Sequence, residues 1–442
     1  MSFKKSVATT FGLNAFTFLA GFFNSVMAAR LLGPEGRGVF TLYSTAVELL
    51  AMLLGFGLPH ALLFYAAKDQ FDRPRLFSFS FAALGASTFV FVVLLVASRW
   101  LGFQHLLLPP PYNDSFSQLI MVVYFAGLSG WYLFVSILNG HRLFPQTNLI
   151  SLVSIGGTLV IYAALFFSTS AGVKPPIFYV IQMAMSLVTL ACCFWVHHRS
   201  IASTYSFSFP PASGIASMVR YGVLIFVSNV MFFLTMKLDY WFVNYFSGAA
   251  DLGQYSLASN VGLTMMLLPN SVGLVLTAFK ANDKSDLVDN WSALLCRVTF
   301  FISLVLAAFL FLAGDYLILF LYGEAFLDSY LLLKMLLLGI VPYSVFTVLR
   351  NYFAGAGLLR ELLVVSILSL FITVGLDVLL IPSLGTRGAA IASVSTYIVS
   401  TLVLAWRFQL KTGTRWHHLF VFTLSDFRLI RASVTSFLPF KK

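Results

Sequence analysis

The stretch W-S-A-L-L-C-R-V-T-F-F-I-S-L-V-L-A-A-F-L-F-L-A, residues 291–313, carries a single charge, Arg297, and neither glycine nor proline. A helix needs roughly 20 apolar residues to cross the hydrocarbon core of a bilayer, and this run supplies them. It lacks the alternation of a barrel strand, and a segment in lipid must satisfy its own backbone polar groups, so the reading is a membrane-spanning helix. Eleven more runs of this kind can be drawn, at 7–29, 39–66, 76–100, 116–140, 147–168, 176–197, 219–246, 252–279, 330–354, 361–382 and 387–410. The expected fold is an all-α integral membrane protein of twelve transmembrane helices. Gly55, Gly57 and Pro59 predict a kink in the second.

Composition agrees with that reading. Of 442 residues, 59% are hydrophobic and 10% charged, and the mean hydropathy is +0.91, far from the balance of a soluble domain. The formal charge of +11 is scattered at the ends of apolar runs rather than gathered in a patch, so it reports topology and no nucleic-acid partner. Cys192, Cys193 and Cys296 lie inside apolar runs without metal-ligand spacing and read as small packed hydrophobes. Lys4 and Lys5 before an apolar run resemble a secretory leader, but the run is too long for one.

With the N-terminus inside, the inner connections hold Lys68, Arg73, Arg75, Arg142, Arg199, Lys280, Lys284 and Arg360 as well as both basic termini. The outer ones hold only Arg30, Arg37, Arg99, Lys174 and Arg387. That asymmetry predicts both termini in the cytoplasm. The tail, 411–442, mixes aromatic residues with Arg428 and Arg431 and is expected to lie along the inner surface as an amphipathic segment.

Sliding the chain on itself by 215 residues pairs Phe11 with Phe226, Asn14 with Asn229, Gly33 with Gly248, Gly38 with Gly253, Ser44 with Ser259 and Gly140 with Gly355. A duplicated unit of six helices gives halves of like orientation, a parallel repeat. The expected organisation is an N-terminal six-helix bundle over 1–200, a linker over 201–214 rich in serine and ending in Pro210 and Pro211, and a C-terminal six-helix bundle over 215–410.

Three stretches carry a family resemblance. Ala29 to Gly38, A-R-L-L-G-P-E-G-R-G, resembles the RxLGPxxxG signature of bacterial polysaccharide exporters. Asp251 to Ala258, D-L-G-Q-Y-S-L-A, resembles their GxYSxA, and Ile381 to Ser393, I-P-S-L-G-T-R-G-A-A-I-A-S, their IPxxGxxGAAIA. Together they resemble the polysaccharide-transport branch of the multidrug/oligosaccharidyl-lipid/polysaccharide flippase superfamily, the O-antigen, capsule and exopolysaccharide repeat-unit flippases. The resemblance implies two six-helix bundles around a central cavity in the bacterial inner membrane. Its implied cargo is an oligosaccharide on undecaprenyl pyrophosphate, flipped to the periplasmic leaflet by alternating access on a proton or sodium gradient. Its implied partners are membrane lipids, a polysaccharide polymerase and a chain-length regulator.

Ionizable residues at membrane depth are the places to look for function. They are Glu48, Arg220, Lys237, Asp239, Arg297, Lys334, Arg350 and Asp377. A pyrophosphate in a low-dielectric cavity needs cations, and arginine offers it a planar fork. The expected substrate-binding set is therefore Lys237, Arg297, Arg350, Arg220 and Arg30. Arg220 and Lys334 also lie near helix ends, where snorkelling explains them. Lys237 could equally pair with an acid on a neighbouring helix, though not easily with Asp239, because residues two apart point to different sides. Glu48, Asp239 and Asp377 are the ion-coupling candidates, with a structural ion pair the alternative for Glu48. No phosphate-binding loop and no metal-ligand spacing are found, so no catalytic residue, resident metal or cofactor is expected. A cationic site argues against the other reading, a small-molecule or multidrug antiporter of the same superfamily.

Overall fold

The computed structural model describes residues 3–102, 114–168, 172–201, 208–282 and 286–421, the first helix up to residue 15 by its backbone alone. The expected linker residues 202–207, Lys284, the tail segment 422–442 and the side chain of Asn14 lie outside the described residues. Among the described residues every regular element is helical. The chain runs α1 (Phe3–Gly55), α2 (Leu58–Ala67), α3 (Arg73–Trp100), α4 (Ser115–Gly140), α5 (Phe144–Ser168), α6 (Pro175–Ile201) and α7 (Ala212–Lys237). It continues through α8 (Asp239–Ser247), α9 (Ala249–Leu263), α10 (Leu267–Asn282), α11 (Asp286–Tyr322), α12 (Ser329–Gly355), α13 (Leu359–Leu384) and α14 (Thr386–Thr412).

Eleven of these stretches are long and apolar enough to span a bilayer. The first of them holds two expected spans, because α1 is broken at Gly33, where φ is 65° and ψ 179°. Pro34 follows, at a position where a new helix tolerates its missing N–H. The expected kink in the second span falls between Gly55 and Leu58. There Phe56 and Gly57 take positive φ and Pro59 opens α2. The signature between the last two helices breaks likewise at Gly385, between α13 and α14.

Packing divides the chain into two compact units, Met1–Gly253 with Leu321–Phe326, and Gln254–Phe320 with Leu327–Lys442. In lipid there is little hydrophobic drive between helices, so close packing relies on small residues and hydroxyls. In the first unit, Gly127 and Gly130 of α4 leave no room for a Cβ against Ser186 and Leu190 of α6. Tyr43 of α1 stacks on Tyr179 of α6 at 3.9 Å. The repeat also governs this unit's tightest contact. A Cβ on Gly38 would lie 1.7 Å from the Ala249 carbonyl oxygen, and one on Gly253 would lie 1.9 Å from that of Pro34.

In the second unit, α12 is the central helix, packed against α10 and α14, and α14 packs in turn on α13. Hydroxyl pairs join the last two: Ser369 with Ser400 at 2.6 Å and Thr373 with Thr396 at 3.1 Å. Lys280 pairs with Asp289, which also accepts from the Tyr352 hydroxyl at 2.8 Å. Cys193 and Cys296 are buried and Cys192 is half-buried, all as free thiols.

Candidate functional site

The break at Gly55 and Gly57 shapes a cavity of about 390 Å³ in the first unit. Without a Cβ, Gly57 lets α2 approach the backbone of α7 at Gly222, since an added Cβ would come within 2.2 Å of the Gly222 oxygen. That contact sets Phe56 against Phe226, ring centroids 4.8 Å apart. It also sets His60 Nε2 2.9 Å from Asn229 Nδ2. Asn229 thus joins α7 to α2. Glu48, Tyr132, Ser136 and Phe233 line the same cavity.

Lys237 ends α7. Its Nζ donates to the Tyr240 hydroxyl at 3.0 Å and sits 4.5 Å from the centre of that ring. Tyr240, Glu48 and Asp239 are its electrostatic neighbours. A lone charge at the helix centre in a membrane costs roughly 2.5–3.5 kcal/mol. Tyr240 offsets part of that cost for Lys237, with Glu48 an electrostatic neighbour rather than an ion-pair partner. Asp239 opens α8 just past Leu238 and is 3% exposed.

One member of this cluster was missed. Arg37 was assigned to an outer connection, yet it is 5% exposed. It donates to the Ser25 carbonyl at 3.0 Å and approaches the Ser25 hydroxyl at 3.2 Å. Tyr322 and Tyr240 are its electrostatic neighbours. The signal was present in the G-P-E-G-R-G stretch, where Arg37 begins a helix rather than ending in solvent.

The remaining expected residues have separate surroundings. Arg30 is exposed and donates to the Leu321 carbonyl at 2.7 Å, its guanidinium 6.0 Å from the centre of the Phe166 ring. Arg220 is exposed on α7. In the second unit, Arg350 is half-buried near the end of α12 and has Tyr343 as an electrostatic neighbour. Asp377 is wholly buried in α13, one turn past Thr373. Arg297 donates to the His418 carbonyl at 3.2 Å and lines a pocket of its own. Thus Glu48, Lys237 and Asp239 come together, and Arg297, Arg350 and Asp377 belong to the other unit.

Comparison with known proteins supports the resemblance read in the sequence. The family described as "Polysaccharide biosynthesis protein" matches residues 3–279. Two Bacillus cereus proteins, each described as "Probable multidrug resistance protein NorM", are 34% and 33% identical over 116 residues. The match spans 25% of this chain and only 24% of theirs. Among solved structures, a lipid II flippase MurJ in an inward closed conformation superposes with a TM-score of 0.73 at 16% identity, covering 98% of this chain and 94% of that one. An inward-facing multidrug resistance MATE family transporter of the MOP superfamily gives 0.68 at 16% identity, covering 90% and 94%. The fold is thus the one these proteins share, with two repeat bundles. From its family match, which covers more than half its length, the chain belongs to the polysaccharide biosynthesis protein family.

Proposed function

We infer that this multi-pass membrane protein is a flippase, carrying an oligosaccharide on undecaprenyl pyrophosphate from the cytoplasmic to the periplasmic leaflet by alternating access. The observation that best supports this reading is Lys237. It is a cation at membrane depth, held by the Tyr240 hydroxyl, with Glu48 of the cavity wall as an electrostatic neighbour. A phosphate oxygen can replace either partner. When Glu48 is ionised it holds Lys237. When Glu48 takes up a proton, Lys237 is left for the pyrophosphate, so protonation of Glu48 and cargo binding to Lys237 are coupled. A sodium ion at Glu48 would screen the carboxylate to the same effect.

Arg220 and Arg30 of the first unit extend this proposed anion-binding set, Arg350 is proposed as a separate anion-binding residue of the second unit, and Arg297 is treated below. Asp239 and Asp377 are the other proposed coupling groups. The bacterial inner membrane, cytoplasmic termini, and a polymerase and chain-length regulator as partners belong to the same reading. The test is deletion of the gene followed by mass spectrometry of undecaprenyl-linked sugars. Accumulation on the cytoplasmic side, relieved by the intact gene and not by Lys237→Gln, is expected, and unchanged lipid-linked sugars would overturn the reading.

A multidrug antiporter is the second reading. Tyr132, Phe226 and Phe233 around Glu48 make an aromatic, acidic pocket within the size range of small-molecule sites. The proteins similar over 116 residues are described as multidrug resistance proteins. Efflux of a cationic dye that depends on Glu48 and leaves lipid-linked sugars unchanged would favour it.

A further inference from the structure

An apolar concavity of the second unit, about 670 Å³, is a groove lined by Phe300, Leu304 and Ala308 of α11 and Leu338 of α12. Leu304 and Leu338 are exposed along it. Its two ends differ. At one end Trp416 and Phe420, from the turn that follows α14, form the wall, with the Phe420 ring edge-on to Phe300 at 5.3 Å. At the other, Lys334 Nζ lies 4.0 Å from the centre of the Tyr330 ring and 5.2 Å from that of Phe311.

The same turn has a second side. His418 lines a pocket of about 460 Å³ with Asn290, Trp291, Arg297 and Thr414. Arg297 stands one turn before Phe300 on α11, and residues three apart share a helix face. The guanidinium is thus in line with the groove, and the Trp416 turn divides charged head from apolar channel. Trp291 and Trp416 are the residue type that settles at the membrane interface. The Lys and Arg distribution puts this end on the cytoplasmic side.

Length selects the occupant. From Phe300 to Phe311 the groove follows α11 for about 17 Å at 1.5 Å per residue, close to one leaflet, about half of a 30 Å hydrocarbon core. A chain that crossed both leaflets would run onto Lys334. We propose that this groove holds one acyl chain of an anionic glycerophospholipid, its phosphate on Arg297 in the pocket beside His418. Basic pockets between transmembrane helices at the cytoplasmic surface are suited to such headgroups. This gives Arg297 a resident lipid rather than the transported one.

Native mass spectrometry of the full-length, delipidated protein tests this, with phosphatidylglycerol, phosphatidylethanolamine and undecaprenyl phosphate added back separately. Phosphatidylglycerol should be retained over phosphatidylethanolamine. Arg297→Gln should lower its retention about fivefold, the effect of losing one cation near an anionic surface, and Arg297→Lys should restore much of it. Ala308→Trp, on an exposed stretch of α11, should fill the groove and remove the bound lipid whatever its headgroup. Equal retention of the two glycerophospholipids, or retention unchanged in both Arg297→Gln and Ala308→Trp, overturns the proposal. So does preferential retention of undecaprenyl phosphate that Ala308→Trp abolishes, because the groove would then be a cargo site.

Discussion

Gly33 and Gly248, 215 residues apart in the chain, hold nearly the same backbone conformation, φ 65° and ψ 179° in one and φ 93° and ψ 175° in the other. This region of conformational space is essentially closed to residues with a Cβ. Each glycine ends one helix and releases the next, so the duplication read from the sequence is written into the backbone. Gly33→Ala and Gly248→Ala should each cost about 1–3 kcal/mol, seen as lower melting temperatures of the detergent-solubilised protein. Gly21→Ala, where an added Cβ meets nothing within 4 Å, should be close to neutral and serves as the control.

Glu48 and Lys237 should behave as a coupled pair. Glu48→Gln leaves Lys237 with Tyr240 as its main partner, and Lys237→Gln leaves a carboxylate in an apolar cavity, so each single change should destabilise. The double change should cost less than the sum, with an interaction energy of about 0.5–3 kcal/mol from a thermal double-mutant cycle. Additive costs would separate the two residues. In transport, Glu48→Gln should lose its dependence on the ion gradient while still binding cargo.

His141 lies just past the end of α4, its side chain 3% exposed and Nδ1 3.6 Å from Asp69. Burial, reinforced by the Arg73 charge, holds its pKa below the usual histidine value, and Asp69 only partly counters this. The folded state therefore takes up this proton less readily than the unfolded chain. Stability should be level above a pH of about 6.5 and decline as the pH falls below it. His141→Gln should flatten that decline in melting temperatures taken across the range, whereas a steeper decline would point to Asp69 as the dominant partner.

Topology offers a direct check on the charge asymmetry. Reporter fusions after Lys68 and after Lys284 should both read as cytoplasmic. A periplasmic signal at either would invert the orientation on which the assignment of leaflets depends.

Much of the fold was legible because lipid leaves the chain few options. Apolar run length fixed the helices, and Gly33, Gly57 and Gly385 marked breaks that no other residue type makes so readily. The site was less legible. Glu48 and Lys237 could each be flagged as a charge at depth, but their partnership joins distant parts of the chain and no spacing rule reports it. Arg37 was misplaced because a charged residue beside Gly-Pro-Glu-Gly reads as a surface loop, when the loop is only a one-residue break between buried helices. The lipid-length groove on α11 was invisible for the opposite reason. Every residue lining it except Lys334 looks like ordinary membrane-facing hydrocarbon until α12 and the Trp416 turn are set beside it.

The reciprocal contact of Gly38 with Ala249 and of Gly253 with Pro34 has a genetic consequence. Duplicated halves ordinarily free one another to diverge, since either copy can keep the ancestral role. Here each copy supplies the glycine that accommodates the other's carbonyl, so neither can lose its own without damaging the seat of its twin. The ancestral glycine is trapped at both positions by its own duplicate, and a library of random variants should recover Gly38 and Gly253 as a linked requirement rather than as two independent ones.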